Sequence, residues 1–406
     1  MKKLLSILIG SLMVGLASGQ TLDSYIEEAE ANNPGIQAFE IKYNISREKV
    51  GEADALPNTE LSAGIFVSEP ETRTGAQKAR FSIKQMLPRF GTKSALENYA
   101  NSLAEVDYLD LAIAKRKLRL SLSGSYYQLF AIREKQKVLE ENIQLLRTYE
   151  KLALTAVEVG NASAVDVLRL QIRQNELEEQ KLVLEQEYQA ERIKFNNLLN
   201  RDNTLAIAVV DSLPLYAKSK MEQAHLEVHP ELERYDRLYE SVAQSELLNL
   251  KEANPNLGFG LDYIPVADRA GMNFSDNGKD ILMPMVSMSI PIFNNIYRSK
   301  SIQNELRQEE ISAQKENRKN LLETILSDAV NNREAAGIKY RTQLINGARA
   351  KDAEEILIKN YETGTTDFND VLDIQELQLK FRMNAVEAVK NYHVQSAIIN
   401  YLTDQY

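Results

Sequence analysis

One block of sequence occurs twice in this chain, and this duplication constrains the fold more than any other feature. Segments 160–171 (GNASAVDVLRLQ) and 364–375 (GTTDFNDVLDIQ) share Gly, Asp, Val, Leu and Gln at a constant spacing of 204 residues. Other landmarks recur at similar spacings: Asn33–Pro34 with His229–Pro230, Leu56–Asn58 with Asn254–Asn256, and Pro88 with Pro291. A duplicated block of this size predicts one structural unit that is used twice.

The repeats predict four segments along the chain. Residues 1–19 begin Met1-Lys2-Lys3, continue with an apolar run and end in small residues, the pattern of a secretory signal peptide. The alternative is a short N-terminal membrane anchor, although the apolar run is too short for a span. We then expect a first repeat over 20–205, a linker over 206–222 and a second repeat over 223–406.

Composition excludes several functional classes. The chain has no cysteine, which excludes disulfides and thiol catalysis, and its formal net charge is -10. An acidic chain without a basic tract is a poor nucleic-acid binder. Beyond the N-terminal run, no uninterrupted apolar stretch is long enough for a membrane-spanning helix.

Each repeat is predicted to contain a helix, two strands, a long helix and a final helix, so the fold class is mainly α with a small β part. The first repeat has a helix over 22–54, strands near 59–87, a long helix over 92–158 and a helix ending near Leu199. The second has strands near 256–290, a long helix over about 298–361 and a last helix over about 367–402. The apolar residues of the long helices recur every three or four positions, as in coiled coils.

The predicted strands are amphipathic. Leu257, Phe259 and Leu261 alternate with small or polar residues, the pattern of outer-membrane strands. Four strands cannot close a barrel, since the smallest such barrels have about eight. The strand pattern therefore predicts that three copies share one twelve-stranded barrel, and the alternative is a pair of hairpins capping a soluble helical bundle.

The loops between the strands are polar. The loops 68–78 and 265–280 are predicted to face the outside of the cell, because the hairpins are the only candidate membrane elements. We expect insertions at Gly75 and at Gly271 to be tolerated.

No constellation of residues indicates an enzyme, a cofactor or a bound metal. His225 and His229 have a spacing that suits a metal on one helix face, but Pro230 disfavours a helix there, so both are predicted to be surface residues. Met283 and Met285 are predicted to share one strand face and Met288 the other, which favours packing over a soft-metal site.

With its signal peptide, duplicated order of elements and Gly-x5-Asp-Val-Leu blocks, the chain resembles the TolC family of outer membrane efflux proteins. The resemblance implies a trimer with a twelve-stranded barrel in the outer membrane of a Gram-negative bacterium and a long α-helical coiled-coil tunnel across the periplasm. It also implies that the turns at Gly160 and Gly364, followed by Asp166 and Asp370, lie at the periplasmic tip. The implied partners are a periplasmic adaptor protein, an inner-membrane pump and outer-membrane lipid, with no nucleic acid.

The resemblance assigns candidate site residues at that tip. Asp370 and Asp373 match two aspartates that ring a constricted aperture in the family, and Tyr361 matches a family tyrosine. Arg169 occupies the first-repeat position equivalent to Asp373. The arginine–threonine lock of the family is absent, because Thr366 and Val165 stand at those positions, so an Arg169–Asp373 contact is a candidate substitute. The alternative is that Asp370 only caps or solvates the last helix. Asp166, which has the same position in the first repeat without a partner aspartate, shows that a structural role is possible.

The resemblance and the strand pattern predict a passive exit duct of a tripartite efflux system that expels small molecules or metal ions. The segment 85–92 (QMLPRFGT) resembles the corresponding turn in family members that serve heavy-metal pumps. Two alternatives are the outer component of type I protein secretion and a structural periplasmic coiled-coil protein with no conduit. The sequence leaves the cargo, the particular pump and adaptor, and the resting state of the duct open.

Overall fold

The computed structural model describes residues 21–160, 163–215, 229–271, 273–363 and 365–403. The predicted signal peptide, His225 and Gly364 lie outside the described residues. The described elements are α1 (Leu22–Asn32), α2 (Pro34–Glu52), β1 (Glu60–Ile65), β2 (Glu71–Thr72), β3 (Gly75–Ala76), β4 (Ala79–Leu87), α3 (Thr92–Glu158), α4 (Ala164–Leu198), α5 (Pro230–Glu252), β5 (Asn256–Ile264), β6 (Ile281–Ser289), α6 (Ile296–Glu362) and α7 (Phe368–Thr403). This order confirms the predicted class, which is mainly α with a small β part.

The two long helices, α3 and α6, are each 67 residues long. Neither contains a proline, and their apolar residues recur at helical spacing. The predicted bounds of α3 are confirmed, whereas α6 starts two residues before the predicted Arg298. The earlier start has a local cause, because the Asn294 side chain accepts a hydrogen bond from the Ile296 amide at 2.9 Å.

The described parts of the chain form two compact units. One takes its residues from Met1–Ala38, Ala112–His229 and Lys319–Tyr406, and the other from Phe39–Leu111 and Pro230–Arg318. The first unit is helical. It contains the turn at Gly160 and the described residues on either side of Gly364. The second unit contains the sheet and the helix segments that adjoin it.

The core of the helical unit includes an aromatic cluster far from the turns in sequence. The Tyr25 ring meets the Phe195 ring edge-on at 5.1 Å between centroids. The Tyr126 hydroxyl accepts a hydrogen bond from the Val210 amide at 3.1 Å, so the segment after α4 is held against α3. Burial of Tyr25, Tyr126 and Phe195 is nearly complete, which makes this cluster a main source of stability.

The four longer strands form one antiparallel sheet in the order β1-β4-β5-β6. The central pair β4–β5 joins the two repeats, with Ile83 opposite Leu261 and Gln85 opposite Phe259. The sheet of one chain is therefore a composite of both hairpins. The strands lie within the predicted 59–87 and 256–290.

One face of this sheet is apolar across all four strands. The register places Leu61 opposite Ile83, and Phe259 opposite Val286. The members of the apolar face are Leu61, Ala63, Ile65, Ala79, Phe81, Ile83, Leu87, Leu257, Phe259, Leu261, Tyr263, Leu282, Pro284, Val286 and Met288, with Gln85 among them. Many of them are exposed in the single chain, up to 81% for Ile65. A surface of this size needs an apolar neighbour.

The opposite face is small and polar. On β5 it presents Gly258, Gly260 and Asp262, and Asp262 forms an ion pair with Arg80 of β4. A side chain at Gly258 would meet the side chains of Met86 and Ser287, so glycine leaves room for them on this face. The register also confirms that Met283 and Met285 share this face while Met288 lies on the apolar one.

The two loops at the far end of the sheet are tied together, which the sequence did not predict. Within the predicted loop 68–78, β2 and β3 form a short ribbon, and the Gly278 amide donates to the Thr74 carbonyl at 2.7 Å. Gly75 has φ 135° and a side chain there would collide with the Ala267 carbonyl. We therefore now expect an insertion at Gly75 to be disruptive, whereas Gly271 has open space around it.

None of the helices in the described residues has an apolar stretch long enough to cross a membrane.

Candidate functional site

The sequence-predicted site residues lie around the two helix turns of the helical unit. In the first repeat, α3 ends at Glu158 and α4 begins at Ala164. Gly160 has φ 79°, a conformation that favours glycine, so the turn depends on this residue. In the second repeat, α6 ends at Glu362 and α7 begins at Phe368. We call these two segments, 159–169 and 361–373, the turn end.

Asp166 has a structural role at the turn end. The Ser163 hydroxyl accepts a hydrogen bond from the Val165 amide at 3.2 Å, and the Asp166 carboxylate accepts one from the Ser163 amide at 3.4 Å. This reciprocal capping box satisfies amide groups that the helix itself leaves unpaired. The second repeat uses a different residue, since the Asp367 carboxylate caps α7 by accepting from the Asn369 amide at 2.8 Å.

Asp370 and Asp373 are free of such structural bonds. Both side chains are exposed on α7, and neither forms a hydrogen bond or ion pair with any other described residue. The buried side of the same turns carries Phe368, Val371 and Gln375. Because Asp370 and Asp373 are three residues apart on the opposite side, their carboxylates share one exposed face.

Tyr361 lies between the acidic caps of both turns. Its ring is 4.9 Å from the Phe368 ring, and its buried hydroxyl has no hydrogen-bond partner among the described residues. Burial raises the pKa of Tyr361, and the negative charges of Asp166 and Asp367 raise it further. The phenol is thus held neutral, close to residues from both repeats.

Arg169 connects the two repeats directly. Its guanidinium donates a hydrogen bond to the Asn369 side-chain oxygen on the first turn of α7. In the described residues Arg169 forms no ion pair with Asp373, the contact considered as a substitute lock. The hydrogen bond therefore joins Arg169 to Asn369, which lies one helical turn before Asp373 on α7.

A buried core and a polar network lie beneath the turn end. Apolar residues of all four helices form the core: Val138, Leu139, Ile143, Leu146, Tyr149 and Ala153 of α3, Val167, Leu170 and Leu177 of α4, Leu357, Ile358 and Tyr361 of α6, and Phe368, Val371 and Leu379 of α7. The Tyr149 hydroxyl donates to the buried Glu354 carboxylate at 2.5 Å, and the Gln378 amide donates to the same carboxylate at 2.6 Å. Burial, followed by the hydrogen bond to Glu354 and the charge of that carboxylate, raises the pKa of Tyr149.

Sequence reasoning missed Glu354. Glu354 is one of several charged residues along α6, so its neighbours in the sequence do not mark it as buried. Its position on the side of α6 that meets Tyr149 of α3 is the feature that could have indicated it. A buried carboxylate that is bonded on both oxygens fixes the register of the helices around it.

His229 is not part of a metal site among the described residues. His229 is buried, with 2% exposure, and its Nε2 lies 3.2 Å from the Tyr401 carbonyl oxygen, so its prediction as a surface residue is wrong. His229 directly precedes α5, which begins at Pro230, so it lies outside that helix, as the proline predicted. Among the described residues no group of three His, Cys, Asp or Glu side chains is placed to bind a metal.

The fold is shared with solved outer membrane proteins. Over 94% of this chain, the structure matches the outer membrane protein VceC from Vibrio cholerae, with 15% identity, 95% of that chain covered and a TM-score of 0.74. It matches CusC, whose structures concern folding and transmembrane channel formation, with 13% identity, 91% of that chain covered and a TM-score of 0.79. It also matches the open-state outer membrane channel MtrE of Neisseria gonorrhoeae, with 15% identity, 88% of that chain covered and a TM-score of 0.73. No curated protein matches the sequence.

These likenesses define the class of fold, that of outer membrane channel proteins. The family model of outer membrane efflux proteins matches residues 25–201, which is most of the first repeat. This match and the shared fold agree with the resemblance to the TolC family of outer membrane efflux proteins that the sequence predicted.

Proposed function

We propose that this protein is the passive exit duct of a tripartite efflux system, with three copies of the chain forming one channel-tunnel in the outer membrane. The observation that carries this proposal is the sheet. Apart from Gln85, one face of the sheet is apolar across all four strands, and within the described residues its outer strands β1 and β6 each pair on one side only.

The open edges require partners if the apolar face contacts lipid. Unpaired backbone groups in the hydrocarbon layer cost several kcal/mol each, so sheets in a membrane close into barrels. Three copies placed edge to edge bring β6 of one chain beside β1 of the next and give twelve strands. The polar face with Arg80 and Asp262 then lines the interior.

The four helices of the turn end would form the periplasmic part of the proposed duct. Along the chain, α3 follows β4 and α6 follows β6, and each of these helices ends at one of the two turns. In a trimer, Asp370 and Asp373 of three chains contribute six carboxylates around the axis, while Tyr361 and Arg169 position the turns. The adaptor would engage this end, and an inner-membrane pump would supply the energy.

Two alternative functions can be distinguished from this proposal by the experiments that follow. A type I secretion component would have the same duct and a protein cargo. A structural coiled-coil protein of the periplasm would have no conduit, and the extensive apolar face of the sheet counts against it.

A cysteine cross-linking experiment tests the assembly, because the chain has no cysteine of its own. Ala63→Cys on β1 is combined in turn with Pro284→Cys, Val286→Cys or Met288→Cys on β6. We expect oxidation of one of these pairs to give covalent dimers and trimers from outer-membrane extracts. The control pair, Ile83→Cys with Leu261→Cys, faces across β4–β5 of one chain and should give only an internal bond.

Purified protein should also form ion-conducting pores in planar bilayers. Monomers from every edge pair, together with no conductance and a soluble elongated dimer, would favour the structural protein instead. Cross-linked trimers that conduct would leave cargo as the remaining question, which co-purification with an adaptor would address.

A further inference from the structure

We infer that the junction between the sheet and the long helices is a binding surface for anionic phospholipid in the periplasmic leaflet of the outer membrane. This inference rests on the proposed membrane location of the sheet. It assigns a role to Phe90, Ile292 and Phe293 together with Arg89, Lys251 and Arg298, which we call the junction collar.

The apolar part of the collar is fully open to its surroundings. Phe90 is 98% exposed, Phe293 101% and Ile292 71%. Phe90 and Phe293 occupy corresponding positions in the two repeats, just after Pro88 and Pro291. Contact with water is unfavourable for exposed phenylalanine rings. Their recurrence at corresponding positions therefore indicates that one apolar environment covers both.

The collar lies at one end of the apolar sheet face. β4 ends at Leu87 and β6 ends at Ser289, and the register places these residues beside Leu257 and Asn256 at the start of β5. The Arg89 amide donates to the Asn256 side chain at 3.3 Å, which holds the turn before α3 against the sheet. The exposed phenylalanines therefore follow directly on the face that the proposed function places in lipid.

The charged part of the collar has a surplus of cations. Lys93 is paired with Asp54 at 2.6 Å and Lys300 with Glu252 at 3.6 Å. The side chains of Arg89, Lys251 and Arg298 are exposed and form no hydrogen bond or ion pair with any other described residue. Lys251 lies beside Gly91, one residue from Phe90, so cationic and aromatic groups are adjacent.

The two long helices add to this positive potential. α3 and α6 both begin at the collar, and neither has an acidic residue in its first turn. The first turn of α6 instead carries Arg298, although the amino end of a helix already bears partial positive charge. An anion bound at the collar would offset both the Arg298 charge and the partial positive charge of the helix amino ends.

A phospholipid headgroup layer satisfies both parts of the collar at once. Aromatic side chains are favourable at the boundary between hydrocarbon and headgroups, where outer-membrane strands carry aromatic girdles. Basic residues next to that boundary attract anionic headgroups. A protein partner would need an apolar and acidic surface that repeats around the assembly, whereas the lipid leaflet is continuous.

The depth of the collar can be measured because the chain contains no tryptophan. Phe90→Trp and, separately, Phe293→Trp are placed in liposomes whose lipids carry bromine either near the headgroup or deep in the acyl chains. We expect strong quenching by shallow bromines and weaker quenching by deep ones. Phe259→Trp in mid-strand should show the reverse order, and Leu182→Trp on exposed α4 should show no quenching.

The outcomes separate this inference from the proposed function. Quenching of Phe259→Trp without quenching of either collar variant would overturn the lipid collar and leave the duct intact. Loss of quenching in all variants of a correctly assembled trimer would overturn the membrane placement itself. A blue-shifted, unquenched emission that appears only on assembly would identify a second copy of the chain as the occupant.

The anionic preference needs its own measurement. We expect phosphatidylglycerol added to phosphatidylcholine liposomes to raise the dissociation temperature of the assembled protein, and this increment to shrink with added salt. Arg89→Gln, Lys251→Gln and Arg298→Gln together should remove most of the increment. The control triple, Lys151→Gln, Lys339→Gln and Lys359→Gln, removes the same charge from exposed helical positions and should keep it. An equal increment in both triples would overturn the assignment to the collar.

Discussion

Arg169 of the first repeat donates a hydrogen bond to Asn369 of the second, 200 residues away, and so ties the second turn of α4 to the first turn of α7. The position of Arg169 is equivalent to Asp373, whereas its partner Asn369 is equivalent to Val165. The link is therefore not symmetric between the repeats, and each turn has a distinct part in it.

We predict that Arg169→Ala raises the open probability of the duct with little loss of stability. The bond is exposed, so its removal should cost about 0–1 kcal/mol of unfolding free energy. Its release frees the two turns to separate, which single-channel recording in planar bilayers would detect. Arg147→Ala removes an exposed 3.2 Å ion pair between α3 and α4 of one repeat and is the matched control. Equal open probability in Arg169→Ala, Arg147→Ala and the wild type would contradict a gating role.

A charged cluster in the sheet-bearing unit predicts a pH dependence of stability. Burial raises the pKa of Asp110, but hydrogen bonds from Arg234 and, at 2.9 Å, from Lys42 outweigh it and lower the pKa overall. A lowered folded-state pKa stabilises the protein above the unfolded value of about 3.9, and this stabilisation is lost as the pH falls through the folded value.

Asp110→Asn should therefore lower the free energy of unfolding by about 1–3 kcal/mol at neutral pH. The difference between Asp110→Asn and the wild type should vanish in acid, where the wild-type carboxyl is also neutral. Thermal unfolding measured from pH 7 downward checks this. Asp352→Asn removes an exposed carboxylate that has no partner in the described residues and should change stability little at any pH. A difference that persists in acid would assign the effect to packing.

Phe259→Arg should abolish trimer assembly. Phe259 lies in the middle of β5 on the apolar face, between Gln85 and Val286 of the adjacent strands. A cation on this face near the bilayer midplane costs about 2–4 kcal/mol per chain. The yield of heat-resistant trimers from outer membranes is the measurement, with Phe259→Leu as the apolar control. A normal yield from the arginine variant would show that the face does not meet lipid.

Local patterns predicted the helices and strands well. The bounds of α3 follow from apolar residues at helical spacing in a segment without proline. The faces of the strands follow from the alternation of residue types, and Met285 and Met288 lie on opposite faces as predicted. Both signals lie within one element. The aspartates of the turn end were likewise placed on one exposed side of α7 by their spacing alone.

Contacts distant in sequence were not predictable in the same way. His229 is buried because it meets Tyr401, 172 residues away, and nothing near His229 announces that partner. The Arg169–Asn369 bond likewise depends on how the two turns lie beside each other. Gly75 belongs to a polar loop by composition, yet the 265–280 loop closes over it.

The loops give a topology prediction with a built-in contrast. An epitope inserted at Gly271 should be tolerated and should label intact cells, since a side chain there meets open space. The same epitope at Gly75 should reduce assembly, because Gly75 lies against the Ala267 carbonyl with a φ of 135°. Surface labelling and trimer yield are measured for both. Labelling at Gly271 only after permeabilisation would invert the topology.

The last prediction concerns Asp370 and Asp373, which the structure leaves exposed and unpaired on one face of α7. In a trimer their six carboxylates would surround the axis and attract cations. The pore should therefore prefer cations and be blocked by trivalent cations, with block weakening in high salt and at low pH. Asp370→Ala with Asp373→Ala should raise conductance and reduce both the preference and the block, while Glu309→Ala with Glu316→Ala, also exposed and unpaired among the described residues, should leave them unchanged. Wild-type block in the aspartate double variant would place the constriction elsewhere and leave the two aspartates as solvated helix residues.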